Sequence, residues 1–111
     1  MRKNKAEFLI RKLFIRLCSF FPHLKVKLEF IEAVDLPKCY GQCQPDQNKF
    51  ILQIVRMDFA CMSYTLVHEF AHCLHFDEKN PHSEEWGKVY ANLWKLYVGE
   101  SDAIFEISSV V

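Results

Sequence analysis

The segment from about residue 58 to 76, DFACMSYTLVHEFAHCLHF, constrains this chain more than any other stretch. At about 100° per residue on a helix, its side chains divide into two unlike arcs. Phe59, Met62, Leu66, Val67, Phe70, Ala71, Cys73 and Leu74 fill one arc. His68, His72 and His75 share the other with Cys61, Tyr64 and Thr65, and Glu69 stands at the boundary. The polar arc holds no lysine or arginine, so it reads as the lining of a cleft rather than a flank washed by water. The spacing predicts a helix buried on one side and facing a site on the other.

Within that helix, His68-Glu69-Phe70-Ala71-His72 fits the pattern HExxH. Positions i and i+4 lie one turn apart on a single face, where two imidazoles converge on one tetrahedral Zn²⁺. The glutamate one step on reaches a water on that metal and serves as general base. A hydrolytic zinc site needs a third protein ligand, and His75, Asp77, Glu78, His82, Glu84 and Glu85 follow closely. His75 lies about 10 Å along the helix axis from His68, too far for one ion to take 68, 72 and 75 together.

A second helix is predicted over about 82–98, with Trp86, Val89, Tyr90, Leu93, Trp94 and Tyr97 as its apolar stripe. His82 projects close to the line of that stripe, Glu85 falls at its edge, and Glu84 points away. His82 is therefore the expected third ligand, with Glu85 as the alternative. Asn80-Pro81 is suited to starting this helix. Gly99 is expected just past its end. Tyr64, His75 and Tyr90 are the residues that could steady a developing oxyanion.

Upstream, Ala6, Leu9, Ile10, Leu13, Phe14, Leu17, Phe20 and Phe21 recur at helical spacing and predict an amphipathic helix ending before Pro22. Val26, Leu28 and Phe30 alternate with Lys27 and Glu29 as a half-buried strand, which Asp35-Leu36-Pro37 breaks. A segment around Tyr40-Gly41-Gln42, the turn-like Pro45-Asp46-Gln47-Asn48 and the run Phe50–Val55 read as a hairpin. The tail from Ser101 to Val111 reads as strand or coil. The order α-β-β-β-α-α predicts one α+β domain over residues 1–111, with a small antiparallel three-stranded sheet. With 111 residues, half of them apolar, the chain has enough material for one core.

Residues 1–27 carry eight basic side chains against one acidic, and the remainder six against thirteen, for a net charge of zero. An acidic body is not the footprint of a nucleic-acid binder. The basic first helix reads most simply as packed on the sheet with a solvated outer face. No apolar run approaches the ~20 residues of a membrane span, and Arg11, Lys12 and Arg16 interrupt any signal-like segment, so a cytoplasmic protein is expected. The five cysteines form no CxxC pair and read as reduced thiols. Cys39 and Cys43, in an extended segment, would lie roughly 13 Å apart.

His68-Glu69-Phe70-Ala71-His72, then His82 ahead of Glu85-Trp86-Gly87 and Tyr90-Ala91, resembles the SprT-like zincin metallopeptidases, most of all their small phage-encoded members. The resemblance spans about Tyr64–Tyr97. It implies a zincin-like fold, a peptide or protein substrate, a third zinc ligand at His82, and a host-cytoplasmic setting if the chain is phage-encoded. It also implies that a sheet edge binds peptide beside the active-site helix, a role expected here of Phe50–Val55. The chain shows neither the C-terminal zinc ribbon nor the DNA-binding extension of cellular members, so repair of DNA–protein crosslinks is not expected. Two rivals remain at this level. One is a repressor-cleaving HExxH protease with Glu85 as third ligand. The other is a non-catalytic zinc protein that binds a host partner, against which an intact Glu69 argues.

Overall fold

The computed structural model describes residues 3–33, 40–100 and 103–108. Its elements are α1 (Lys3–Ser19), β1 (Val26–Ile31), β2 (Gly41–Asp46), β3 (Lys49–Val55), α2 (Phe59–Leu74), α3 (Glu84–Tyr97) and α4 (Ala103–Ser108). The architecture is a small α+β domain in which helices cover one face of a three-stranded sheet. The Asp35-Leu36-Pro37 break and Cys39 lie outside the described residues.

The sheet is mixed, not antiparallel as expected. Its order is β1-β3-β2, with β1 parallel and β2 antiparallel to β3. The hairpin of β2 and β3 is present, closed by Gln47-Asn48, with Gln47 taking the positive φ that such a tight turn requires. What differs is where β3 lies. Phe50–Val55 was expected at an edge and is instead the central strand, paired on both sides.

Composition explains the order. β3 (KFILQIV) is the most apolar strand, and burial favours the position with a neighbour on each flank. β2 (GQCQPD) has little apolar surface and contains Pro45, which cannot donate to a ladder and belongs at an edge. Across the helix-facing side run three rows: Val26–Phe50–Pro45, Leu28–Leu52–Cys43 and Phe30–Ile54–Gly41. On the opposite face, Gln42 donates to Gln53 and Gln53 donates to Glu29, a polar row spanning all three strands.

α2 lies across β2 and β3 and buries Met62, Leu66, Val67, Phe70 and Ala71, each at most 1% exposed. This is the apolar arc read from the sequence. Phe70 meets the rings of Phe14 and Phe21 at centroid distances of 6.1 and 5.9 Å, which docks α1 onto α2. α1 touches β1 but packs chiefly on α2 rather than on the sheet. Gly41 is where α2 comes closest to β2. A Cβ there would stand 2.5 Å from the Thr65 methyl group and 2.5 Å from the Gln53 carbonyl, so only glycine fits.

α3 packs on α2, and the Tyr97 hydroxyl meets the buried Ser63 hydroxyl at 2.6 Å. α3 ends as expected at Gly99, whose φ is +104°. Its N–H reaches the Leu96 carbonyl and that of Glu100 reaches Lys95, the paired closure of a Schellman motif. The tail expected as strand or coil contains α4, packed on α3 through the buried Ala103 and Ile107.

Candidate metal centre

His68 and His72 project from α2 away from the core, one turn apart, as the helical repeat requires. The chain then leaves the helix sooner than expected. α2 ends at Leu74, and His75 is its C-cap with φ −134° and ψ 78°. This takes His75 off the imidazole stripe predicted for it, and its Nδ1 is buried without a hydrogen-bond partner. α3 begins later than expected, at Glu84 rather than near Pro81. Its N-cap is Ser83, whose hydroxyl accepts from the Trp86 N–H at 3.1 Å. A serine followed by two glutamates is a helix-start signal that the sequence carried.

His82 therefore stands on irregular chain just before the cap, and from there it returns to α2. Its Nε2 lies 3.4 Å from His68 Nε2, while the Nε2 atoms of His68 and His72 are 3.3 Å apart. All three donor atoms fall within 4.8 Å of one another. A tetrahedral zinc with bonds of 2.0–2.1 Å places its nitrogen ligands about 3.3 Å apart. The two shortest separations thus match the edge of such a tetrahedron, and the donor set fits the metal. Among the described residues this is the one group of three or more potential ligands so gathered. Glu85, the alternative ligand, is exposed on the first turn of α3 and is not part of it.

The cluster suits a cation electrostatically. Burial, then the neighbouring His68 and His82, hold the His72 imidazole down at about 4. Burial, then His82, also lowers His68. Both rings are therefore neutral at pH 7, the form that binds metal.

Glu69 lies beside the cluster, its Oε2 3.9 Å from His68 Nε2. Burial raises its carboxyl to about 7, partly offset by a hydrogen bond from the Cys43 N–H. That bond follows from the sheet order. Tyr40 turns its carbonyl toward Val55, so alternate residues beyond it, Gly41 and Cys43, turn their backbone groups outward from the edge. Pro45 continues that series, and its missing N–H costs no ladder bond.

Two cavities flank Glu69 in the groove between β2 and α2. One, of about 350 Å³, is lined by Tyr40, Gly41, Tyr64, Thr65, His68 and Glu69. The other, of about 230 Å³, includes Cys43, Glu69, His72, Phe76 and Pro81. Tyr64 stacks on His68 with centroids 6.0 Å apart, and Tyr90 meets the same ring edge-on at 5.7 Å. Burial raises the Tyr90 hydroxyl, which stays a protonated donor at neutral pH.

Trp86 has a larger part than the stripe alone foretold. Its ring stacks on His72 at 4.9 Å and 23°, and meets His68 at 5.0 Å and His82 at 4.7 Å. One indole thus touches all three imidazoles. Its position four residues after His82 was the available signal, but only the reversal of the chain at 75–83 turns that spacing into contact.

Cys73 is 3% exposed, on the apolar arc as expected, and burial pushes its thiol well above the ordinary range. Cys18, Cys43, Cys61 and Cys73 are all free thiols. No helix among the described residues is long and apolar enough to cross a membrane. In comparisons with known proteins, no family model, no curated protein and no solved structure matches this chain.

Proposed function

We propose that the chain is a zinc-dependent metallopeptidase of SprT-like type, with His68, His72 and His82 as the metal ligands and Glu69 as general base. The reading is carried by one observation. A three-imidazole cluster, two of whose separations match the edge of a tetrahedron, stands beside a largely buried carboxyl, and both border a groove along a sheet edge.

A zinc ion held there supplies Lewis acidity, making a water more acidic and polarising a carbonyl. The remaining work belongs to the chain. Glu69 Oε2 takes the proton from the attacking water and returns it to the departing amine, the role of a general base and then general acid. The Cys43 N–H faces that carboxylate from the strand side. Gly41, and Cys43 through its carbonyl, offer outward-facing backbone to an extended peptide, which can lie along β2 as an added strand. Tyr64, which lines the groove, and Tyr90 are the two phenols whose rings contact His68.

The test is metal analysis of the purified protein combined with peptide-library cleavage by wild type and Glu69→Gln. About one zinc per chain is expected in both proteins, with turnover lost by roughly 10²–10⁴-fold in the variant. If Glu69→Gln cleaves peptides as well as wild type, the peptidase mechanism is wrong.

A further inference from the structure

Two thiols with no part in that chemistry touch one another behind Glu69. Cys43 Sγ on β2 and Cys73 Sγ on α2 are 2.7 Å apart. Their surroundings differ. Cys73 is buried in the core, whereas Cys43 is half-buried and lines the 230 Å³ cavity that also reaches Glu69 and His72. The pair therefore joins a half-buried thiol beside that cavity to one sealed in the core. A disulfide needs its sulfurs about 2.0 Å apart, so less than about 1 Å of approach remains.

We propose that Cys43 and Cys73 form a two-thiol redox site, in which Cys43 reacts with a low-molecular-weight disulfide and Cys73 resolves the adduct. In the first step the Cys43 sulfur attacks the disulfide RSSR. A Cys43–SR bond forms, the S–S bond of the reagent breaks, and one RSH leaves with the Cys43 proton. In the second step Cys73 sulfur attacks Cys43 sulfur, forming the Cys43–Cys73 bond and releasing a second RSH with the Cys73 proton. The protein is oxidised by two electrons and the reagent is reduced to two thiols.

The cross-link fastens the two walls of the groove, β2 and α2, at the residue whose N–H faces Glu69. It does not draw on the imidazole cluster, because neither sulfur is among the gathered donor atoms. It therefore stands whether or not the site hydrolyses peptides.

The experiment exposes the zinc-loaded full chain to oxidised glutathione, then blocks remaining thiols and maps the peptides by mass spectrometry. Wild type should lose two thiols per chain, yield a Cys43–Cys73 linked peptide, and retain its zinc. Cys73→Ala should stop at a glutathione adduct on Cys43. Cys43→Ser should give neither product and leave Cys73 unmodified. Dithiothreitol should restore both thiols in wild type. If Cys73→Ala does not fold, the map of wild type against Cys43→Ser decides alone. A wild type that stops at the Cys43 adduct, links a different pair, or keeps all its thiols overturns the proposal.

Discussion

The imidazole cluster draws its donors from two kinds of backbone. His68 and His72 stand on a regular helix whose opposite face is sealed into the core, so their separation is set by the helical repeat with or without metal. His82 stands on the irregular chain between α2 and α3 and is exposed. Its place depends on contacts with Trp86 and on the cap that starts α3. A site built this way has a preformed half and a half that must be held. The first costs little order on binding metal, and the second carries most of that cost.

The largest effects should come from the ligands themselves. His68→Ala, His72→Ala and His82→Ala should each weaken zinc binding by more than the roughly 100-fold that marks the upper end for outer-shell changes. Glu85→Ala should leave the metal in place. Titration with a competing chelator measures all four. A result in which Glu85→Ala loses zinc and His82→Ala keeps it would dissolve the division between helix and loop and reassign the third donor.

Trp86 bridges the two halves, so its removal should reach both. Trp86→Ala deletes a side chain only 8% exposed and should cost about 4 kcal/mol of folding stability, in the range for buried aromatic truncation. In the fraction that folds, zinc affinity should fall by about tenfold. Denaturant melts with and without chelator separate the two losses. Unchanged affinity in a destabilised protein would mean that the imidazoles hold their places without the indole.

The preformed half should also leave a mark on the pH dependence of the metal-free protein. Glu69 ionises near 4.5 when exposed but is held up at about 7 in the fold. Between those values the folded chain keeps a proton that the unfolded chain has lost, so this group lowers stability as pH rises, by about 3 kcal/mol in full. His72 acts in the opposite sense. Its ordinary value of 6.5 drops to about 4, so the unfolded chain binds the extra proton and stability is lost as pH falls through that window. Chelator-treated Glu69→Gln should therefore gain stability relative to wild type above pH 7, and should show a clear rise with pH from about 4 to 6.5. Parallel curves for the two proteins would mean that Glu69 is not held protonated by burial.

The same division governs how much was legible in the sequence. The two arcs of α2 follow from a single period applied to one segment, so the buried residues and the His68–His72 pair could be read without tertiary knowledge. The projection of His82 reached the right neighbourhood by way of a helical turn that the structure does not contain, since α3 starts two residues later. His75 shows the converse. The same wheel placed it on the stripe, but the helix ends one residue before it. The sheet order failed for another reason. Alternation tells which face a strand buries, and β1, β2 and β3 run up, down and up in either order. Only the comparison of an apolar β3 with a Pro-bearing β2 puts one at the centre and the other at the edge. The contact between Cys43 and Cys73 rests on that same order, so it could not precede it.

The smallest expected effect tests the comparison most directly, because it uses two similar caps at different distances from the ligands. Ser83 caps α3 by accepting from the Trp86 N–H and sits next to His82. Asp58 caps α2 by accepting from the Cys61 N–H at 2.9 Å. It lies about 15 Å of helix rise away from His68. Ser83→Ala should cost about 1 kcal/mol of stability. It should also loosen the first turn of α3, so that His82 must be ordered by the metal itself, and zinc affinity should fall by less than about tenfold. Ser83→Asp, which keeps a capping acceptor, should restore both. Asp58→Ala also removes a cap, but the fraying it causes lies more than two turns from His68, on a helix already fixed by its core face. It should lower stability and leave zinc affinity as it was. Equal losses of affinity in Ser83→Ala and Asp58→Ala would show that the helix pair is no better preformed than the loop ligand.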